Sequence, residues 1–414
     1  MTALADRDGT LCVETVPLTE VAARHGTPCF VYSRAALEAA YREFDGAFAA
    51  VRHLTCYAMK ANSNLAILDV FARLGCGFDV VSGGELARVI AAGGDPRKVV
   101  FSGVGKTDAE LRQALELDIL CFNVESASEL VHLDRIAGAL GKRAPVSLRV
   151  NPDVDPRTHP YISTGLKESK FGIAFAEALP LYRHAAGLGH IALKGIDIHI
   201  GSQITELEPY REAAAKVLEL VDTLTAEGIH LDHVDLGGGI GIRYREETPM
   251  DVAAYAAMIA GLFSGRKESL LLEPGRRLTG NAGILLTRVT YLKPGAHRSF
   301  AVVDAAMNDL LRPALYDAWH GVRPVRPRSE RPRLWQIVGP VCESADFLAR
   351  DRELALAEGD LLAILSAGAY AMAMSSNYNS RPRAAEVLVD GGSMHLIGRR
   401  ERVDELFSRE SRLP

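Results

Sequence analysis

The chain has 414 residues, 48% hydrophobic and 24% charged, a balance that fits a soluble globular protein of two or three domains. A formal net charge of −5 argues against nucleic acid as the main partner. No run reaches the roughly 18 apolar residues of a membrane span. The segment Met1–Asp8 also lacks the basic and apolar stretches of a signal peptide.

In chain order, Pro28–Ser33 is a first short apolar run. Eight candidate strands follow: Leu54–Met59, Phe78–Val81, Lys98–Phe101, Ile119–Asn123, Val146–Val150, Leu193–Ile200, His233–Leu236 and Ser269–Glu273. Helical patterns separate them. Leu65, Leu68, Phe71 and Ala72 share one face, as do Leu86, Val89 and Ile90, and Tyr210–Leu224 is a longer stretch. This alternation predicts an α/β architecture, a parallel (β/α)8 TIM-type barrel over residues 37–281. A doubly wound open sheet is the competing arrangement.

Beyond Ala282 the texture changes. Ile284–Leu292, Phe300–Asp304, Leu334–Val338, Asp360–Leu365, Glu386–Val389 and Met394–Ile397 alternate or are β-branched, with little helical periodicity between them. Residues 282–414 therefore read as a C-terminal antiparallel β-barrel or sandwich domain, with residues 1–36 joining it through the strand Pro28–Ser33. The proline-broken, basic stretch Arg323–Arg333 reads as an exposed loop. The six cysteines form no CxxC pair and no zinc-like spacing with histidine, so no metal is expected and a reducing, cytoplasmic location is. Five of them sit in apolar contexts; Cys342, in Gly339-Pro-Val-Cys-Glu-Ser344, does not.

The polar residues converge on this map. Lys60 follows strand one, His199 ends strand six, Gly237-Gly238-Gly239 follows strand seven, and Glu273-Pro-Gly275-Arg276 ends strand eight. All fall at carboxyl ends of strands, where barrel active sites lie. A lysine partly withdrawn from water is disposed towards the neutral amine that forms imines. Glycines let backbone N–H groups close on phosphate oxygens. A dinucleotide reading of Gly237–Ile242 fails because the last glycine of the fingerprint is missing. A Walker reading of Gly105-Lys106-Thr107 fails because Val100 stands where its first glycine belongs. An amine, a phosphate cradle and a carboxylate at one barrel mouth point to pyridoxal 5'-phosphate: Lys60 for the aldehyde, the glycines for the phosphate, and Glu273 to keep the pyridine nitrogen protonated. Each feature alone has a plainer structural reading: a strand-end lysine, a tight turn, a core histidine, a glutamate paired with Arg276 or Arg277.

Six ordered motifs now carry a resemblance: Tyr57-Ala-Met-Lys60-Ala-Asn62, His199-Ile-Gly-Ser-Gln203, Gly237–Gly239, Glu273-Pro-Gly-Arg276, Cys342-Glu-Ser344 and the segment Tyr370–Asn379. The chain resembles, almost end to end, the bacterial diaminopimelate decarboxylases, of the alanine-racemase-like, fold-type III pyridoxal-phosphate enzymes. The segments Arg312-Pro-Ala-Leu-Tyr316 and Cys342–Ser344 narrow the likeness to that group. The resemblance implies decarboxylation of meso-2,6-diaminopimelate to L-lysine and CO2, the last step of bacterial lysine biosynthesis. It implies that Lys60 carries the cofactor and His199 stacks on its ring. Ser202, the Gly238–Gly239 turn and Gly275-Arg276 would bind the phosphate, and Glu273 the ring nitrogen. Arg276, Arg312 and Tyr316 would hold the substrate's distal carboxylate and Glu343 its distal ammonium. Cys342 would be the proton donor, and Tyr370 would touch phosphate and substrate. It further implies a homodimer with shared sites, Cys342 and Glu343 reaching into the partner subunit's site. Ala345 and Ala371 stand where the family often has glycine.

A decarboxylase for ornithine, arginine or carboxynorspermidine is a rival, weakened by Arg312 with Tyr316, which suit a distal carboxylate. A racemase of this fold usually has arginine at the ring nitrogen, where this chain has Glu273. A non-catalytic cofactor carrier would not need the long β domain with Cys342.

Overall fold

The computed structural model describes residues 4–155 and 170–414. The chain divides into two compact units, one of residues 40–242 and 248–277, the other of residues 1–39, 243–247 and 278–414.

The first unit is a barrel. Its strands are β1 (His53–Ala58), β2 (Gly77–Val80), β3 (Val99–Phe101), β4 (Cys121–Val124), β5 (Ala144–Asn151), β6 (Ile191–Asp197), β7 (His233–Asp235) and β8 (Ser269–Leu272). Every neighbouring pair is parallel, and β8 pairs back onto β1 through Leu270–His53, Leu271–Leu54 and Leu272–Thr55. An open sheet would leave two strands with one edge unpaired; here each of the eight strands pairs with two neighbours, so the ring is closed. Cys56, Val100, Cys121 and Leu271 pack together as buried core, contributed by β1, β3, β4 and β8.

The helices after β1 to β4 begin where the sequence supplies a cap. Asn64 accepts from Ala66 N–H, Ser82 from Glu85 N–H and Ser126 from Glu129 N–H, and Thr107 with Glu110 forms a capping box. Two expected core residues lie outside: Leu65 is 44% exposed and Ile90 38%. The helix Leu65–Arg73 buries the expected Leu68 and Phe71 and, beside them, Ile67 and Val70. Lys106 has a structural task. Its buried ammonium donates to Gly103 O, Asn123 O and Glu129, which ties the loop after β3 to β4 and to the helix that follows β4.

The second unit is built on the long strand Gly283–Lys293. It pairs antiparallel with Cys29–Ser33, with Leu361–Ile364 and with Phe300–Val303. Cys29–Ser33 is thus the N-terminal strand of this sheet, and it also pairs with Ala385–Asp390. That pairing and Phe300–Val303 with Arg333–Val338 are parallel, so the sheet is mixed rather than uniformly antiparallel. Phe347–Leu354 and Val322–Pro324 are further strands that the sequence pattern did not expose. The second takes the start of the basic Arg323–Arg333 stretch out of the expected loop and pairs it with Leu361–Ile364. Val31, Ile284, Leu286, Ala363, Val387 and Val389 meet in the core of this unit. No described helix is long and apolar enough to cross a membrane.

Candidate active site

At the carboxyl ends of the barrel strands, four acids face inwards. Asp79 on β2, Asp197 on β6, Asp235 on β7 and Glu273 just after β8 are all buried. One oxygen each of Asp197, Asp235 and Glu273 lies within 4.8 Å of the others. Arg149, on β5, approaches Asp197 at 3.8 Å and Glu125 at 3.2 Å. Three carboxylates so close together and out of water cannot all be ionised. Burial, and then Asp235, push Glu273 well above the usual carboxylate range, while Lys60 pulls it back. Burial, and then Asp235, act likewise on Asp197, and burial raises Asp235 to about 7. Glu273 Oε1, Asp235 Oδ2 and Asp197 Oδ1 have no hydrogen-bond partner among the described residues. A cationic or proton-bearing group placed there would relieve all three.

Lys60 sits in a 3-10 turn, Met59–Ala61, that continues β1. Its ammonium makes a short ion pair with the buried carboxylate of Asp79. This changes the expectation for Lys60: withdrawal from water is offset by a carboxylate that favours the ammonium, so burial alone does not set its state. Gly275 packs against Ala58 and Ala61, on either side of Lys60.

His199 follows β6. Its Nδ1 accepts from Gly238 N–H at 3.2 Å, so the ring carries its proton on Nε2. Burial, Arg149 and Lys60 hold it well below the ordinary histidine range, which makes it a neutral imidazole. The glycine turn packs as closely as backbone allows. A Cβ on Gly238 would overlap the Glu273 carbonyl, and one on Gly239 the Gly201 carbonyl. Gly237 N–H donates to Asp235 and Gly238 N–H to His199, whereas Gly239 N–H donates to no described residue. Arg276, buried at the start of a short helix, donates to Ser202 Oγ at 2.9 Å. The barrel unit therefore holds Lys60, His199, Ser202, Gly238, Gly239, Glu273, Gly275 and Arg276 at the carboxyl ends of its strands.

The remaining expected residues belong to the second unit. Arg312 is buried and opens the helix Arg312–Tyr316; its guanidinium lies over the Tyr244 ring, 4.5 Å from the centroid. Tyr316 is half-buried at the helix end. Cys342 and Glu343 are exposed on a loop. That loop is pinned from below: Asp346 accepts from Met307 N–H at 2.7 Å and from Val341 N–H at 2.8 Å, while Asn379 Oδ1 accepts from Cys342 N–H at 2.8 Å. Tyr370, half-buried, is held at φ 54°, a left-handed conformation of a kind that non-glycine residues adopt at a cost of about 1–3 kcal/mol. Ala345 and Ala371 both avoid that region, so neither position requires glycine.

Asp79, Asp197, Asp235, Arg149, Tyr244 and His320 were not singled out from the sequence. A signal existed for the three aspartates, each a lone acid inside an apolar strand run (Phe78-Asp-Val80, Ile196-Asp-Ile198, Val234-Asp-Leu236).

Residues 34–280 match the family profile described as pyridoxal-dependent decarboxylase, pyridoxal binding domain. The diaminopimelate decarboxylase of Pseudomonas aeruginosa is 60% identical over 408 residues, covering 99% of this chain and 98% of that protein. The chain belongs to the diaminopimelate decarboxylases. Among solved structures of this family, that from Helicobacter pylori complexed with L-lysine is 42% identical with a TM-score of 0.92, covering 95% of this chain and 99% of that one. The one from M. jannaschii in co-complex with L-lysine is 37% identical with a TM-score of 0.94, covering 100% and 98%. The barrel and sheet units described above are those of this family of decarboxylases.

Proposed function

We propose the following reading of the site, for an enzyme that uses pyridoxal 5'-phosphate to decarboxylate meso-2,6-diaminopimelate to L-lysine and CO2. Its support is that the Lys60 ammonium, paired with Asp79, lies close enough to act electrostatically on the buried Glu273, whose Oε1 has no partner among the described residues, in a chain 60% identical over 99% of its length to a diaminopimelate decarboxylase. The cofactor, when bound, supplies an electron sink for the carbon that loses CO2.

The residues present fit that group. Lys60 is the amine that holds it, kept oriented by Asp79. Glu273 offers Oε1 to the ring nitrogen, and a proton there supplies the positive charge that the Asp197–Asp235–Glu273 cluster lacks. His199 is neutral and lies against the ring without adding a competing charge. Gly239, Ser202 and Gly275-Arg276 bind the phosphate. Gly238 contributes mainly by shape, since its N–H serves His199. Glu343 pairs with the ammonium at the non-reacting end of the substrate, and Arg312, Tyr316 and Arg276 hold the carboxylate there. Tyr370 touches both phosphate and substrate. Cys342 delivers the proton to the carbon that has lost CO2.

Cys342 and Glu343 are exposed in the single chain, where water would compete with them for protons and charge. A homodimer in which this loop enters the partner subunit's site, working in the cytoplasm, completes the reading.

The test is lysine and CO2 release by the purified, cofactor-loaded protein from meso-diaminopimelate, beside L-ornithine and L-arginine. Lysine from diaminopimelate alone is the expected result. Release from ornithine or arginine alone would overturn the roles of Arg312, Tyr316 and Glu343.

A further inference from the structure

His320 lies four residues beyond the helix Arg312–Tyr316 and is fully buried. Its Nδ1 is 2.8 Å from the Leu365 carbonyl oxygen, which can only accept, so Nδ1 carries the proton. Its Nε2 is 2.8 Å from Arg312 Nη1, which can only donate, so Nε2 is the unprotonated acceptor. Both bonds together admit one state of the ring, the neutral tautomer with its proton on Nδ1. The Tyr244 ring completes the arrangement. It meets the His320 ring edge-on at 5.3 Å and supports the Arg312 guanidinium at 4.5 Å. Tyr244 is itself fixed through its N–H to Glu247 Oε2 at 3.0 Å.

An arginine side chain has many rotamers, and gripping a carboxylate with two parallel N–H groups requires one of them. A neutral acceptor fixes a guanidinium without neutralising it. A carboxylate in the same place would satisfy Arg312 internally and leave less charge for a substrate. We infer that His320 is a positioning residue that orients Arg312, through the Nη1–Nε2 hydrogen bond, for the carboxylate at the non-reacting end of the substrate. This rests on the reading of Arg312 given above, which the experiment tests separately.

The experiment compares His320→Leu, His320→Gln and Arg312→Ala in cofactor-loaded enzyme. Each is checked for retained cofactor absorbance and melting temperature. KM and kcat are measured for meso-diaminopimelate, with inhibition by L-lysine, which keeps the distal carboxylate, and by 1,5-diaminopentane, which lacks it. His320→Leu should raise KM at least about tenfold with kcat within about threefold. L-lysine should weaken in parallel and 1,5-diaminopentane should not. His320→Gln, whose Oε1 can replace Nε2 as acceptor, should recover most of the KM. The proposal is overturned if Arg312→Ala raises KM but His320→Leu does not. It also fails if His320→Leu weakens both inhibitors equally, or if folded His320→Gln is no better than His320→Leu. An Arg312→Ala enzyme with unchanged KM would instead remove Arg312 from the substrate site, and the role of His320 with it.

Discussion

Asp79, Asp197, Asp235 and Glu273 in the barrel are at most 4% exposed, whereas Cys342 and Glu343 in the sheet unit stand on an exposed loop. The two groups face opposite physical problems. In the barrel, charge is strong because water is absent, and the difficulty is excess like charge that protons or a bound cation must relieve. On the loop, charge and thiol are screened by water, and the difficulty is holding them still until something covers them. Asp346 addresses the second problem by gripping two backbone N–H groups beneath the loop.

The sharpest way to break this comparison is at Lys60. Lys60→Ala should abolish the cofactor's bound absorbance and cut turnover by about 10⁴-fold or more; measurable turnover with unmodified cofactor would remove it from the centre of the site. Cys342→Ala should keep the cofactor spectrum while lowering kcat by about 10²–10³-fold. An unchanged kcat would mean that another group delivers the proton. Asp346→Asn keeps one acceptor and loses charge, so the loop should loosen. We expect kcat to fall by about tenfold, the cofactor spectrum to be unaffected, and Cys342 to react faster with a thiol reagent. Equal thiol reactivity in both proteins would show that the loop does not depend on Asp346.

The smallest effect concerns stability. Asp235 titrates near 7 in the folded protein and near the ordinary carboxylate value when unfolded. The folded state therefore holds a proton that the unfolded chain releases, and its stability falls as pH rises from about 4 to 7. Asp235→Asn should raise the melting temperature of cofactor-free protein by a few degrees above pH 7 and by little near pH 5. A pH-independent gain would show that Asp235 is ionised throughout.

Much of the barrel was legible because each strand is a short apolar run, and each of the first four βα loops ends in a residue able to cap a helix: Asn64, Ser82, Thr107 and Ser126. Lys60, His199 and Glu273 were legible because polar residues at strand ends interrupt those runs. Strands such as Phe347–Leu354, in which the charged run Arg350–Glu353 follows the buried pair Leu348-Ala349, were not. Their place is set by pairing partners distant in the chain, which local composition does not encode.

By itself the sequence determined the order of the strands, the turns that need glycine, and the chemical types of the site residues. These follow from local sterics and from the cost of burying polar groups. Only the tertiary structure decided that Asp79 holds Lys60, that Asp197 and Asp235 share Glu273's burden of charge, and that His320 meets Arg312 in one protonation state. Hydrogen bonds and Coulomb interactions act over a few ångströms, and the fold, not the spacing along the chain, decides which groups come that close.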